Sequence, residues 1–371
     1  MATRFLHCLI NLRPIVLAAL ALTGGCLTGM MLPAGAATAT LPATKSAPVA
    51  KAAPVAPTSK PAGTTVSKSA PPSSAKAPES LPGFDEAVNA GIDHYKAAKY
   101  EEAAAEFKKA MDLDPGNIIV AQWLGATYKQ LNQWDNAIAA FEKAADLDPN
   151  FAEGQNNLAF CYTQLRQLDR AIGCYEKAVA IKPELVEAHY NLAMLQLQKK
   201  EVDKAKEHLN KALELKPDYV DALFELGDLE QTAGNTDKAL EIYEKCLKID
   251  PKHASTLAKS GEIMIARGQV EPGLARVKQA LAEDPQNFDA HMIYGVYLID
   301  HRQLEEGRLE LVKASEMNPY DDMVFYQLGR ILHKLDRYKL SIKSLNHSLE
   351  LNPDNTLAKE ELAKVKAKAG L

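Results

Sequence analysis

From Phe84 onwards, apolar residues return every three or four positions in stretches of roughly fourteen residues, the spacing of an amphipathic helix. The stretches come in pairs. Within a pair they are separated by short polar links such as Ala233-Gly234-Asn235 and Arg267-Gly268-Gln269, where glycine suits a left-handed helix cap. After each pair stands a proline: Pro115, Pro149, Pro183, Pro217, Pro251, Pro285, Pro319 and Pro353, each 34 residues from the last. Proline cannot continue a helix, so every pair stops at the same place. The pattern predicts eight helical hairpins in series, with helices over positions 1–14 and roughly 18–31 of each unit.

With the proline numbered 32, the units begin at Phe84, Ile118, Ala152, Val186, Val220, Ala254, Phe288 and Asp322. Position 8 is then Gly91, Gly125, Ala159, Ala193, Gly227, Gly261, Gly295 and Gly329. Positions 20 and 27 are just as small, from Ala103 and Ala110 in the first unit to Ser341 and Ser348 in the last. Position 24 holds bulk: Phe107, Phe141, Tyr175, Leu209, Tyr243, Val277, Leu311 and Leu345. Small positions mark places where helix axes approach closely, and large knobs beside them predict one way for each hairpin to nest on its neighbour.

Leu124-Gly125, Tyr128, Trp134, Ala137, Phe141, Ala144 and Pro149 carry a signature that resembles the tetratricopeptide repeat family, and the resemblance runs from Phe84 to Pro353 without an insertion. It implies an all-α fold: a right-handed superhelical solenoid of eight hairpins over residues 83–355, closed by a capping helix over 356–371. It also implies a concave wall lined by the first helices, with positions 2, 5, 6, 9, 12 and 13 facing the groove. Those positions include Asn89, Trp123, Asn156, Asn157, Phe160, Tyr190, Asn191, Met194, Phe224, Ile265, Met292, Tyr326 and Arg330. Rigid aromatics and adaptable amides make a surface for an extended peptide or a partner helix.

Asn89, Asn157 and Asn191 share position 6. One amide both donates to and accepts from a peptide backbone, and the row resembles the asparagine ladder of the O-linked N-acetylglucosamine transferases. An exposed amide is also at home in water. The carboxylate clamp of chaperone-binding members is absent, because no unit has Lys at position 5 with Asn at 9. Position 2 is acidic in five units (Asp85, Glu153, Glu187, Asp221, Asp289), which suits a basic partner and equally suits a helix N-terminus.

Composition adds an address. Residues 1–36 combine Arg4 and Arg13, the apolar run Ile15–Leu22 and the small-residue pattern Ala34-Gly35-Ala36, as in a secretory signal cut before Ala37. A retained anchor over Ile15–Leu32 and a lipidated Cys26 remain alternatives, and all three carry the body out of the cytoplasm, to a periplasm or cell envelope. Residues 37–82, with nine prolines and no aromatic residue, read as a disordered spacer.

The formal net charge of −5 divides into +2 on residues 1–36, +4 on 37–82 and −11 on the remainder. An acidic body repels phosphate backbones, which disfavours nucleic acid as a partner and leaves a protein or peptide. No nucleophile–base set, phosphate loop or metal-ligand spacing is present, so neither catalysis nor a cofactor is expected. His189 and His291 are expected to pack within their hairpins. Cys161 and Cys174, on the two helices of one unit, are candidates for a disulfide.

Overall fold

The computed structural model describes residues 81–371, so the candidate secretory signal and nearly all of the candidate spacer lie outside the described residues. Seventeen helices and no strand occur among the described residues. The first four hairpins pair α1 Phe84–Lys96 with α2 Tyr100–Leu113, α3 Ile118–Gln130 with α4 Trp134–Leu147, α5 Ala152–Gln164 with α6 Leu168–Ile181, and α7 Val186–Gln198 with α8 Val202–Leu215. The next four pair α9 Val220–Thr232 with α10 Thr236–Ile249, α11 Ala254–Ala266 with α12 Val270–Glu283, α13 Phe288–Asp300 with α14 Leu304–Met317, and α15 Asp322–Lys334 with α16 Tyr338–Leu351. A final helix, α17 Thr356–Ala369, packs on α15 and α16.

Each second helix stops two residues before its proline, slightly earlier than the apolar pattern predicts. The residue before a proline is pushed out of the helical region by the pyrrolidine ring. Position 31 accordingly lies near φ −133° at Asp114 and φ −140° at Asn352. In six repeats this residue is Asp or Asn, and its side chain accepts a hydrogen bond from the backbone N–H two residues on, as at Asp148 Oδ1 to Asn150 N, 2.9 Å. The side chain therefore folds the chain over the proline into the next repeat.

The links inside the hairpins are equally uniform. Position 15 adopts a positive φ in all eight repeats: Ala98, Asn132, Arg166, Lys200, Arg302 and Asp336 between 56° and 62°, Gly234 at 83° and Gly268 at 82°. In repeat 2 the N–H of Gln133 then reaches back to the carbonyl of Tyr128 at 2.9 Å, closing a Schellman turn. The glycine cap expected from the sequence is thus a backbone shape that six other side chains also tolerate.

The position-24 knobs seat over position 8 of their own repeat, and a small residue facing the next repeat is seen at Gly307, where a Cβ would lie 3.2 Å from Ile331. A Cβ at Gly91 or Gly125 would lie 2.7 Å from the Phe107 or Phe141 ring of the same hairpin. Phe107, Phe141, Tyr243, Leu311 and Leu345 are fully buried over these small residues. In repeat 6 the backbones themselves meet: a Cβ on Gly261 would come 2.7 Å from the Gly273 carbonyl oxygen, and one on Gly273 would meet the Gly261 oxygen equally closely.

Neighbouring repeats then stack by contacts of each second helix with the following first helix, giving an all-α helical-repeat solenoid with only neighbour-to-neighbour packing. First helices also touch between repeats 1 and 2, 2 and 3, 5 and 6, 6 and 7, and 7 and 8, most closely α11 and α13, whereas no two successive second helices approach as closely. The first helices therefore line one face of the array and the second helices the opposite one. Cys161 and Cys174 are free, buried thiols, so the candidate disulfide does not form.

Candidate partner-binding wall

The wall of first helices is built from positions 5, 6, 9, 12 and 13 of the odd-numbered helices. Asn89 is exposed on α1. Trp123 stands half-buried on α3, stacked on Phe107 with centroids 5.8 Å apart and edge-on to Tyr95 at 5.2 Å. Asn157 and Phe160, one turn apart on α5, both meet Lys129 of α3: its Nζ donates to Asn157 Oδ1 at 3.3 Å and lies 5.4 Å from the Phe160 ring centroid. On α7, Tyr190 packs on Tyr219 at 5.0 Å, Asn191 hydrogen-bonds the phenol of Tyr175, and Met194 is half-buried. Burial drives the Tyr190 phenol well above its ordinary range, with Glu225 and Asp221 reinforcing the shift.

Further along, the wall closes over several of its expected members. Phe224 is half-buried and packs against Tyr243 and His253. Tyr326 is only 5% exposed and belongs to the core cluster of Leu345, Ala358 and Val365, so it offers little surface for recognition. Met292 and Ile265 are buried too. The reason is local: α15 must seat the final helix, and α11 and α13 pack more closely than other first helices. Arg330 donates to Gln327 Oε1 at 2.8 Å and to Asp300 Oδ1 at 3.2 Å, which holds its guanidinium against the wall.

Charge divides the wall into two stretches. In repeats 2–4 none of positions 5, 6, 9, 12 and 13 is acidic; the set is amides, aromatics, small residues, Met194, Leu197 and Lys129. In repeats 5–7 the same positions hold Glu225, Asp228, Glu262 and Asp300. There Lys259, 7% exposed, places Nζ 3.4 Å from Asp228 Oδ1 and 3.6 Å from Asp289 Oδ1. Gln231 donates to Glu262 Oε2 at 2.8 Å. Position 2 shows both of its expected behaviours, since Glu153 is tied to Lys182 at 2.7 Å while Glu187 is exposed.

His189 and His291 sit at position 4, away from the wall, and pack within their hairpins. The Nε2 of each lies 3.0 Å from the carbonyl oxygen of the preceding inter-repeat proline, Pro183 or Pro285. Their Nδ1 atoms face position 23 of the same repeat, His208 and Glu310 respectively. These position-4 to position-23 pairs were not legible in the sequence, because 19 residues separate the partners and only the antiparallel register of the hairpin brings them together.

No curated protein sequence is significantly similar to this chain. Among solved structures, it is similar to a tetratricopeptide repeat protein from Parabacteroides merdae (19% identity, 67% of this chain and 99% of that one, TM-score 0.53). It is also similar to a chain of the APC/C hetero-tetramer Cut9–Hcn1 (16% identity, 72% and 52% covered, TM-score 0.57) and to PilF of Pseudomonas aeruginosa (19% identity, 56% and 95% covered, TM-score 0.51). At these identities the likeness is one of fold. Models described as tetratricopeptide repeat match residues 150–218, 184–252, 230–297 and 324–355, and one described as TPR repeat matches 125–165. Together they span more than half of the chain, which belongs to the tetratricopeptide repeat family, a family of protein-interaction arrays.

Proposed function

We propose that this chain is a non-catalytic scaffold of the cell envelope that holds an extended segment of a partner protein along the wall of first helices. The observation that carries the reading is the stretch over repeats 2–4, where Asn157, Phe160, Tyr190, Asn191 and Met194 are all partly exposed on consecutive first helices. Amides at a fixed spacing suit a peptide backbone, and the half-buried rings give side chains a surface already ordered before binding. The envelope location rests on the secretory pattern of residues 1–36.

A second reading has its own observation on the opposite surface. A cleft bounded by α4, α5 and α6 is lined by Glu142, Tyr162, Arg170, Gly173, Cys174 and Lys177. At its base Gln155, 7% exposed, leaves its Oε1 without a hydrogen-bond partner. That cleft suits docking by the outer face into a larger export or secretion assembly.

Photo-crosslinking separates the two. A benzophenone side chain is placed at Gln164 or Gln198 on the wall, or at Glu176 or Ala180 on the opposite surface, all exposed positions. Adducts with the same partner from Gln164 and Gln198 alone support the wall; adducts from Glu176 and Ala180 alone overturn it in favour of the outer face.

A further inference from the structure

Lys129 stands out among the cations of the wall. The other buried or half-buried ones each meet a carboxylate: Lys259 meets Asp228 and Asp289, and Arg330 meets Asp300. Among the described residues Lys129 makes no ion pair. Its Nζ has the Asn157 amide oxygen at 3.3 Å and the Phe160 ring face at 5.4 Å, both neutral. The titratable group that acts on it is Cys161, a buried thiol whose pKa burial pushes up to about 11, so it supplies no counter-charge near neutrality. Burial correspondingly lowers the pKa of the Lys129 ammonium.

An ammonium has three donors, and a half-buried one without a carboxylate lacks the counter-charge that such groups usually acquire. Positions 5, 6, 9, 12 and 13 of repeats 2–4 carry no acid, and of the position-2 acids in this stretch Glu153 is tied to Lys182 while Glu187 makes no ion pair with Lys129. We propose that Lys129, with Asn157 and Phe160, forms a subsite for an internal Asp or Glu side chain of the extended partner segment. The carboxylate takes the free donors of Nζ, the Asn157 amide holds the ammonium in place, and the Phe160 ring keeps the pair partly dry. An internal side chain fits better than a chain terminus, since the wall runs on past Lys129 in both directions, to Trp123 and Tyr95 on one side and to Tyr190 and Asn191 on the other. The acids of repeats 5–7 repel the same carboxylate, so the subsite also fixes the direction in which a partner lies.

This inference rests on the reading that the wall is the binding face, and the test separates the two. The probes are two peptide pools, acetylated and amidated, with four positions drawn from Ala, Ser, Thr, Leu and Asn on each side of a central Glu or a central Gln. Retention on the immobilised full chain is measured by mass spectrometry, with a free-acid version of the Gln pool as a third arm. The Glu pool is expected to be retained about tenfold more than the Gln pool at low salt, with the preference shrinking as salt rises. Lys129→Gln removes the preference, Lys129→Arg retains most of it, and Glu176→Gln on the opposite surface leaves it unchanged. Equal retention of both pools, competed by one another and lost when Asn157 and Asn191 become Ala, keeps the wall reading and overturns the subsite. A preference confined to the free-acid Gln pool reassigns the contact to a chain terminus and also overturns it. Retention of neither pool overturns both readings.

Discussion

His189 and His208 face each other across the hairpin of repeat 4 with their Nδ1 atoms 3.0 Å apart. The Pro183 carbonyl, 3.0 Å from His189 Nε2, can only accept a hydrogen bond and so assigns the Nε2–H tautomer to His189. His189 Nδ1 is then an acceptor, and His208 must donate to it. The arrangement holds together when both rings are neutral and cannot accommodate two imidazolium ions.

Burial lowers the pKa of His189, opposed by its hydrogen bond to the Pro183 carbonyl and helped by the charge of Lys211; burial with the charge of His189 lowers that of His208, while Glu207 opposes the second shift. A histidine whose folded pKa is depressed contributes stability above its unfolded value of 6.5 and loses it as pH falls through the folded value. Repeat 5 fills the same two positions with Leu223 and Ile242. The variant His189→Leu/His208→Ile is therefore expected to unfold with a flatter pH dependence between neutrality and pH 5, and to melt higher than the parent at pH 5. Thermal melts followed by circular dichroism across that range check it; an unchanged pH profile contradicts the account.

Repeat 6 depends on glycine for a different reason. Gly261 and Gly273 let two backbones meet, and neither carbonyl can move aside for a methyl group. Gly261→Ala is expected to cost about 1–3 kcal/mol by overpacking. Gly173, in α6, has open space where its Cβ would go, so Gly173→Ala is expected to gain about 0.5–1 kcal/mol from helix preference alone. Chemical denaturation of the two variants side by side measures the contrast, and similar effects would contradict the close approach.

Lys259 holds two carboxylates on the wall at low exposure. Lys259→Ala leaves Asp228 and Asp289 partly buried without that cation and is expected to cost about 3 kcal/mol, more than a surface lysine would. Lys129→Ala, which breaks no ion pair, is expected to cost well under half of that. Urea midpoints of both variants decide the ordering.

At the hairpin links, Arg302 adopts φ 62° with a side chain that the left-handed region disfavours. Arg302→Gly matches the glycine that Gly234 and Gly268 supply at the same position and is expected to stabilise by about 0.5 kcal/mol. A loss of stability in the urea midpoint would mean that the arginine side chain contributes more than its backbone strain costs.

The sequence by itself determined every feature that is local or repeated: the 34-residue period, two helices per unit, the stop before each proline and the small residues at positions 8, 20 and 27. These follow from helical periodicity, the missing N–H of proline and the volume of single side chains, all of which act within a few residues. The family's wall positions also pointed to Asn157 and Phe160, whereas Lys129, at position 12 of the preceding repeat, was singled out only by its contacts with both. Tertiary structure decided which candidates stay reachable. It buried Tyr326 of α15 against α16 and α17, brought Gly261 against Gly273, and set His189 on His208. It also gave Lys259 two acids and Lys129 none. Those outcomes depend on how closely one helix sits on the next, a sum of many side-chain volumes from separate repeats that no single unit contains.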